Sequence, residues 1–108
     1  MHMDMGNESE AFKCYEKSAK DGYARAKHNL ALMYAEGTGI SQNSEQAFYW
    51  MEQASNEGHV GAKRTLGGFY FQGIGVSANP EVGFALLQEA AELGDEMAKE
   101  ILREMRED

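Results

Sequence analysis

The chain has 108 residues, of which 18 are acidic and 10 basic, for a formal net charge of −8. That balance argues against nucleic acid and anionic membrane surfaces as partners, since both are bound largely through Lys and Arg. A single cysteine, Cys14, leaves no intrachain disulfide and no thiolate metal cluster, and no run approaches the roughly 18 apolar residues that a membrane span requires.

Residues 1–6 lack the basic and apolar regions of a secretory leader. They read as a disordered tail or an expression scar, and the protein as cytoplasmic, or periplasmic if a leader has been removed. From Asn7 to Asp21 apolar or small residues fall at 11, 12, 14, 15, 18 and 19, the stripe of an amphipathic helix. Asn7 followed by Glu10 has capping-box spacing, and Gly22 ends the segment. A second helix is predicted over 24–36, with Ala26, Leu30, Met33 and Tyr34 on one side and Gly37 as its left-handed terminator. After a turn at 38–42, Asn43 with Gln46 signals another start. The helix that follows carries Ala47, Phe48, Trp50, Met51 and Ala54 and stops at Gly58. The pair then repeats over 60–72 and 80–93, where Pro80 suits a first helical position and no later one. A charged helix over 95–108 closes the array.

The period is 36 residues. Residues 26–61 laid over 62–97 share 12 identities in 36 positions without a gap. One domain over 7–108 is therefore predicted: a half repeat (7–22), two repeats (23–58 and 59–94) and a capping helix (95–108). The fold class is all-α, a solenoid of six helices. A two-helix unit buries its apolar face only by stacking on its neighbours, and small residues recur at the close crossings: Ala11, Ala47 and Gly83; Ala26, Ala62 and Ala98; Ser18, Ala54 and Ala90. Phe12, Phe48 and Phe84 recur between them as large core fillers, as do Tyr34 and Tyr70. Charge is uneven along the stack, with −1 over 1–36, −1 over 37–72 and −6 over 73–108.

The recurring pattern is a small residue, then Leu, Ala or Gly, Tyr, Gly-x-Gly and Ile or Val, followed by Ala-x2-Trp-x3-Ala and Gly. Ala26, Leu30, Ala31, Tyr34, Gly37, Gly39, Ile40, Ala47, Trp50, Ala54 and Gly58 meet it. It resembles the Sel-like repeat (SLR) family, a relative of the tetratricopeptide repeat. The second copy departs at Gly83 and Leu86. The resemblance spans about residues 7–105 and implies a right-handed α/α superhelix acting as an adaptor or scaffold. It implies a concave groove lined by the first helix of each pair, whose candidate residues are Arg25, His28, Leu32, Ala35 and Glu36; Gly61, Arg64, Gly68, Phe71 and Gln72; and Met97, Glu100, Glu104, Glu107 and Asp108. Such a groove is basic near Arg25, His28 and Arg64 and acidic near Glu100 and Glu104, with Phe71 between as an exposed aromatic anchor.

Chemistry finds little support. Gly37-Thr38-Gly39 and Gly73-Ile74-Gly75 lack the third glycine of a dinucleotide loop and the Gly-Lys-Ser/Thr of a phosphate loop. His28 and His59 have no metal-ligand spacing, so no metal or cofactor is expected. No serine has an activating motif, and Cys14 aligns with Trp50 and Leu86 on a stripe expected to be buried, where a thiol is inert. The leading reading is a non-enzymatic module that binds a protein or peptide, with a basic partner the better electrostatic match. An alternative that the resemblance allows is an immunity protein that neutralises a toxin or secreted enzyme. A β-lactam hydrolase ranks below both, because the paired cysteines of such family members are missing. Phe12, Tyr15 and Tyr23 are expected at an open N-terminal edge, giving a monomer or a weak dimer through that edge.

Overall fold

The protein is described by a computed structural model covering residues 4–106. Among these residues there are six α-helices and no strand: α1 (Asp4–Lys20), α2 (Ala24–Glu36), α3 (Ser44–Asn56), α4 (Val60–Gln72), α5 (Pro80–Glu92) and α6 (Glu96–Arg106). The molecule is elongated, 45 × 26 × 26 Å. Packing follows chain order: α2 lies most extensively on α3 and α4 on α5, and these hairpins stack on each other and on α1 and α6. No described helix is long and apolar enough to cross a membrane.

Helix starts follow the local chemistry at most junctions. Asn43 Oδ1 accepts the N–H of Gln46 at 3.1 Å and Asn79 Oδ1 that of Val82 at 3.3 Å, with Pro80 opening α5 as anticipated. Two further caps carry less obvious residues. His59 Nδ1 accepts from Ala62 N at 3.0 Å to start α4, and Asp95 Oδ2 accepts from Ala98 N at 2.9 Å to start α6. The first helix differs from its sequence reading. It begins at Asp4, so residues 4–6 are helical and Asn7 lies inside α1 rather than capping it. Residues 1–3 fall outside the described range.

The Gly-x-Gly loops serve architecture. Gly37 and Gly73 end α2 and α4 in the left-handed conformation, their N–H groups donating to Met33 O at 2.8 Å and Phe69 O at 2.7 Å. With α2, α4 and α6 termed first-type helices and α1, α3 and α5 second-type, the second glycine of each loop is pressed against the preceding second-type helix. A Cβ on Gly39 would overlap the Glu8 carbonyl, and one on Gly75 the Ser44 carbonyl, 36 residues further on. Each loop closes identically, with Asn43 N donating to Tyr34 O and Asn79 N to Tyr70 O.

The core is a chain of three clusters. The central one joins Ala31, Ala47, Met51, Ala54, Ala62, Leu66 and Phe69; an N-terminal one holds Phe12, Ala19, Ala26, Leu30 and Met33; a smaller one holds Leu87, Ala90 and Ala98. All the anticipated crossing alanines of the central repeats are buried. Between α4 and α5 glycine replaces alanine on both sides: Gly67 and Gly83 stand where Ala31 and Ala47 stand, and a Cβ on either would meet the other's carbonyl oxygen at 2.8–3.0 Å.

The recurring phenylalanines are not equivalent. Phe12 meets Tyr34 edge-on with ring centroids 5.4 Å apart and is 7% exposed, against the expectation of partial exposure. Phe48 meets Tyr70 the same way at 5.6 Å. Phe84 finds Arg106 at the tyrosine position and is 36% exposed. A further reversal concerns Cys14, which is exposed. The stripe it shares with Trp50 and Leu86 is half-buried in α3 and α5, each of which packs on the helix before it, whereas α1 packs on α2 alone among the major helix contacts.

Candidate interaction face

Helices α2, α4 and α6 carry the candidate groove residues that fall among the described residues, and the structure sorts the main ones into three groups. Arg25 is exposed beside a cleft between α1 and α2 that Tyr15, Tyr23 and Asn29 also line. His28 and Arg64 come together across the α2–α4 interface, with Thr65 and His59. Arg64 and Phe71 line a separate slot between α4 and α6. Glu36 and Gln72, the last residues of α2 and α4, are exposed and apart from these groups, while Leu32 is half-buried against the central core cluster. Glu100 and Glu104 are exposed on α6, and Glu100 pairs with Arg103 one turn on. Glu107 and Asp108 lie outside the described residues.

His28 is the most constrained member. Its ring stacks on His59, with centroids 4.9 Å apart and planes at 27°, and its Nε2 lies 3.4 Å from Thr65 Oγ1. Thr65 spends its own proton on Gly61 O, at 2.9 Å, so the His28 Nε2–H is the donor. Burial, followed by the neighbouring His59 and Arg64, lowers the His28 pKa from 6.5 to about 4. His28 is therefore neutral at pH 7. The two histidines form no group of three or more metal-ligating side chains among the described residues.

Arg64 is also compensated. Its Nε donates to Asp95 Oδ2 at 2.8 Å, the same oxygen that caps α6. The basic end expected at Arg25, His28 and Arg64 thus reduces to Arg25, because one partner is neutral and another is paired. Phe71 likewise departs from its reading as an exposed anchor. It is half-buried against the cluster of Leu87, Ala90 and Ala98, and its ring lies where a Cβ on Gly83 would meet it at 2.9 Å. The missing methyl at 83 makes room for the larger side chain at 71.

Sequence reasoning missed the pairing of His28 with His59 and the Arg64–Asp95 bridge. Asp95 at the very start of the predicted last helix was a usable capping signal. The contacts with Arg64 and between the histidines depend on how successive hairpins stack, which a linear pattern does not encode. Also missed was exposed Tyr49, edge-on to Trp50 at 5.1 Å.

Comparison with known proteins bears on the family and the repeat fold. The Sel1 repeat family model matches residues 5–23, 24–59 and 64–95. Among solved structures, the chain is similar to c5321, a protective antigen present in uropathogenic Escherichia coli strains and displaying an SLR fold. The TM-score is 0.80 at 29% identity, over 83% of this chain and 19% of that one. It is similar also to a Sel1 repeat protein from Oxalobacter formigenes, with a TM-score of 0.77 at 37% identity, over 83% of this chain and 37% of that one. The chain thus spans well under half the length of either. No curated protein matches it. With three matched segments that cover most of its length and the repeat geometry of its solved neighbours, the chain belongs to the Sel1 repeat family.

Proposed function

We propose that the chain is a non-enzymatic adaptor module that binds a protein or peptide segment along the face carried by α2, α4 and α6. Sel1 repeat proteins are generally protein-interaction scaffolds. The observation that carries the reading for this chain is where the copies differ. Positions that hold the stack together are retained, as in Ala26 and Ala62, Leu30 and Leu66, and Tyr34 and Tyr70. On the same helices, His28 gives way to Arg64, Leu32 to Gly68 and Ala35 to Phe71. The stack accommodates these exchanges, as where Gly83 makes room for Phe71, and their effect is a face that changes from one repeat to the next, as suits an asymmetric ligand. The surplus of carboxylates favours a basic partner.

Affinity capture from a lysate with two exposed-site variants tests the reading. Arg25→Glu and Glu104→Lys lie on this face and bury nothing, so helical circular dichroism is expected to stay unchanged while recovery of bound protein falls for at least one of them. Equal recovery by both variants and the parent chain would sink it.

A further inference from the structure

Helices α4 and α6 leave an open cavity of about 280 Å³ between them, lined by Arg64, Gly68, Phe71, Leu87, Ile101 and Met105 and almost wholly apolar. Three of these residues mark where the chain breaks its own repeat. Gly68 stands where Leu32 packs on the core, and a Cβ there would meet nothing within 4 Å. Phe71 replaces Ala35 and supplies a wall. Ile101 replaces the polar Asn29 and Thr65 of the earlier first-type helices. One exchange opens the slot, and two make its walls apolar.

Its surroundings are equally particular. Arg64 presents its aliphatic stem, because Asp95 holds its guanidinium. On α6 the apolar strip continues to Met97, which is 59% exposed. Helical spacing sets exposed Glu104 three residues after Ile101, so a carboxylate edges the slot, while Glu100 one turn before it is paired with Arg103, in a final third of the chain that carries −6. The cavity is smaller than the roughly 300–1,000 Å³ of cofactor and drug sites, and its size suits one large side chain.

We propose that this slot anchors a partner segment that inserts one bulky apolar side chain between α4 and α6, with Lys or Arg beside it answering Glu104. The proposal rests on the adaptor reading above and names the chemistry of its partner. Charge complementarity selects a basic occupant over an acidic or neutral one.

The test uses a phage-displayed library of random 12-residue linear peptides selected on the full chain. Enriched peptides are then synthesised and titrated by fluorescence anisotropy against the parent and three variants. Gly68→Leu restores the residue of the first copy and fills the slot without disturbing the helix, which a thermal melt verifies. The expected peptides carry one Leu, Ile, Met, Phe or Trp bracketed by Lys or Arg. They lose about tenfold or more in affinity on Gly68→Leu, on Glu104→Lys and on replacement of the anchor by Ala, but little on Arg25→Glu. Equal binding to parent and Gly68→Leu with loss on Arg25→Glu overturns the slot while leaving the adaptor reading intact. No enrichment, or binding indifferent to all three variants, overturns both. Self-association seen by sedimentation and abolished by Gly68→Leu overturns the foreign segment in favour of a second copy.

Discussion

His28 illustrates how a residue acquires a property from the stack that its helix alone does not confer. Folding holds its pKa at about 4 rather than 6.5, so the unfolded chain takes up a proton first as pH falls. Stability is then lost between about pH 6.5 and 4. Because the ring is only half-buried, the loss is about 1–2 kcal/mol after allowance for solvent screening. Urea melts at pH 7.5 and pH 4.5 are expected to show this drop, and His28→Gln to flatten it. Glycine positions make the opposite contrast. Gly75 has φ +71° and no room for a Cβ, so Gly75→Ala is expected to cost at least about 2 kcal/mol. Gly68 is helical and open, so Gly68→Ala is expected to stabilise by about 0.5–1 kcal/mol in the same melts. Both positions were visible in the sequence as glycines, and only Gly75 announced its role, through the repeated Gly-x-Gly. The environment of His28 was not legible, because His59 approaches it from 31 residues away across an interface between hairpins.

Between elements, the α4–α5 hairpin differs from α2–α3 by coupled exchanges. Ala35 with Ala47 becomes Phe71 with Gly83, and the Phe71 ring occupies the space that the Ala47 methyl would claim. Gly83→Ala alone is expected to cost about 1–3 kcal/mol by forcing the ring out of place. In the Phe71→Ala background the clash with the ring vanishes, while the close approach to Gly67 O remains, so the double variant is expected to show a coupling energy above about 0.5 kcal/mol. Additive losses in denaturant titrations would refute the coupling. The register of these hairpins was legible, since small residues at fixed spacing reflect helix crossings that recur every 36 residues. The exposure of Phe71 was misread because its cover comes from Gly83, Leu87 and Ala98 on two later helices. Cys14 was misread for the converse reason: its aligned partners Trp50 and Leu86 are shielded by a preceding helix, and the described part of α1 has no such cover.

Over the whole molecule, stability is a sum of neighbour contacts, so an incomplete contact weakens the stack locally. The edge-on pairs of Phe12 with Tyr34 and Phe48 with Tyr70 clamp each second-type helix to the first-type helix that follows. The third clamp is absent: Arg106 stands at the tyrosine position and Phe84 is exposed. Helix α6 has one fully buried residue, Ala98, and two short-range surface ion pairs, Lys99 with Glu96 and Arg103 with Glu100, each worth little. Hydrogen exchange is accordingly expected to be fastest in α6 and slowest in α3 and α4, which are packed on both sides. Arg106→Tyr supplies the missing ring, and an aromatic pair of this kind is worth about 0.5–1.5 kcal/mol beyond the area it buries. It is expected to raise the melting temperature by about 2–8 °C and to slow exchange in α6 more than in α1. A rise in melting temperature with α6 exchange unchanged would mean that the new tyrosine packs elsewhere, and that the graded exposure of Phe12, Phe48 and Phe84 has another origin.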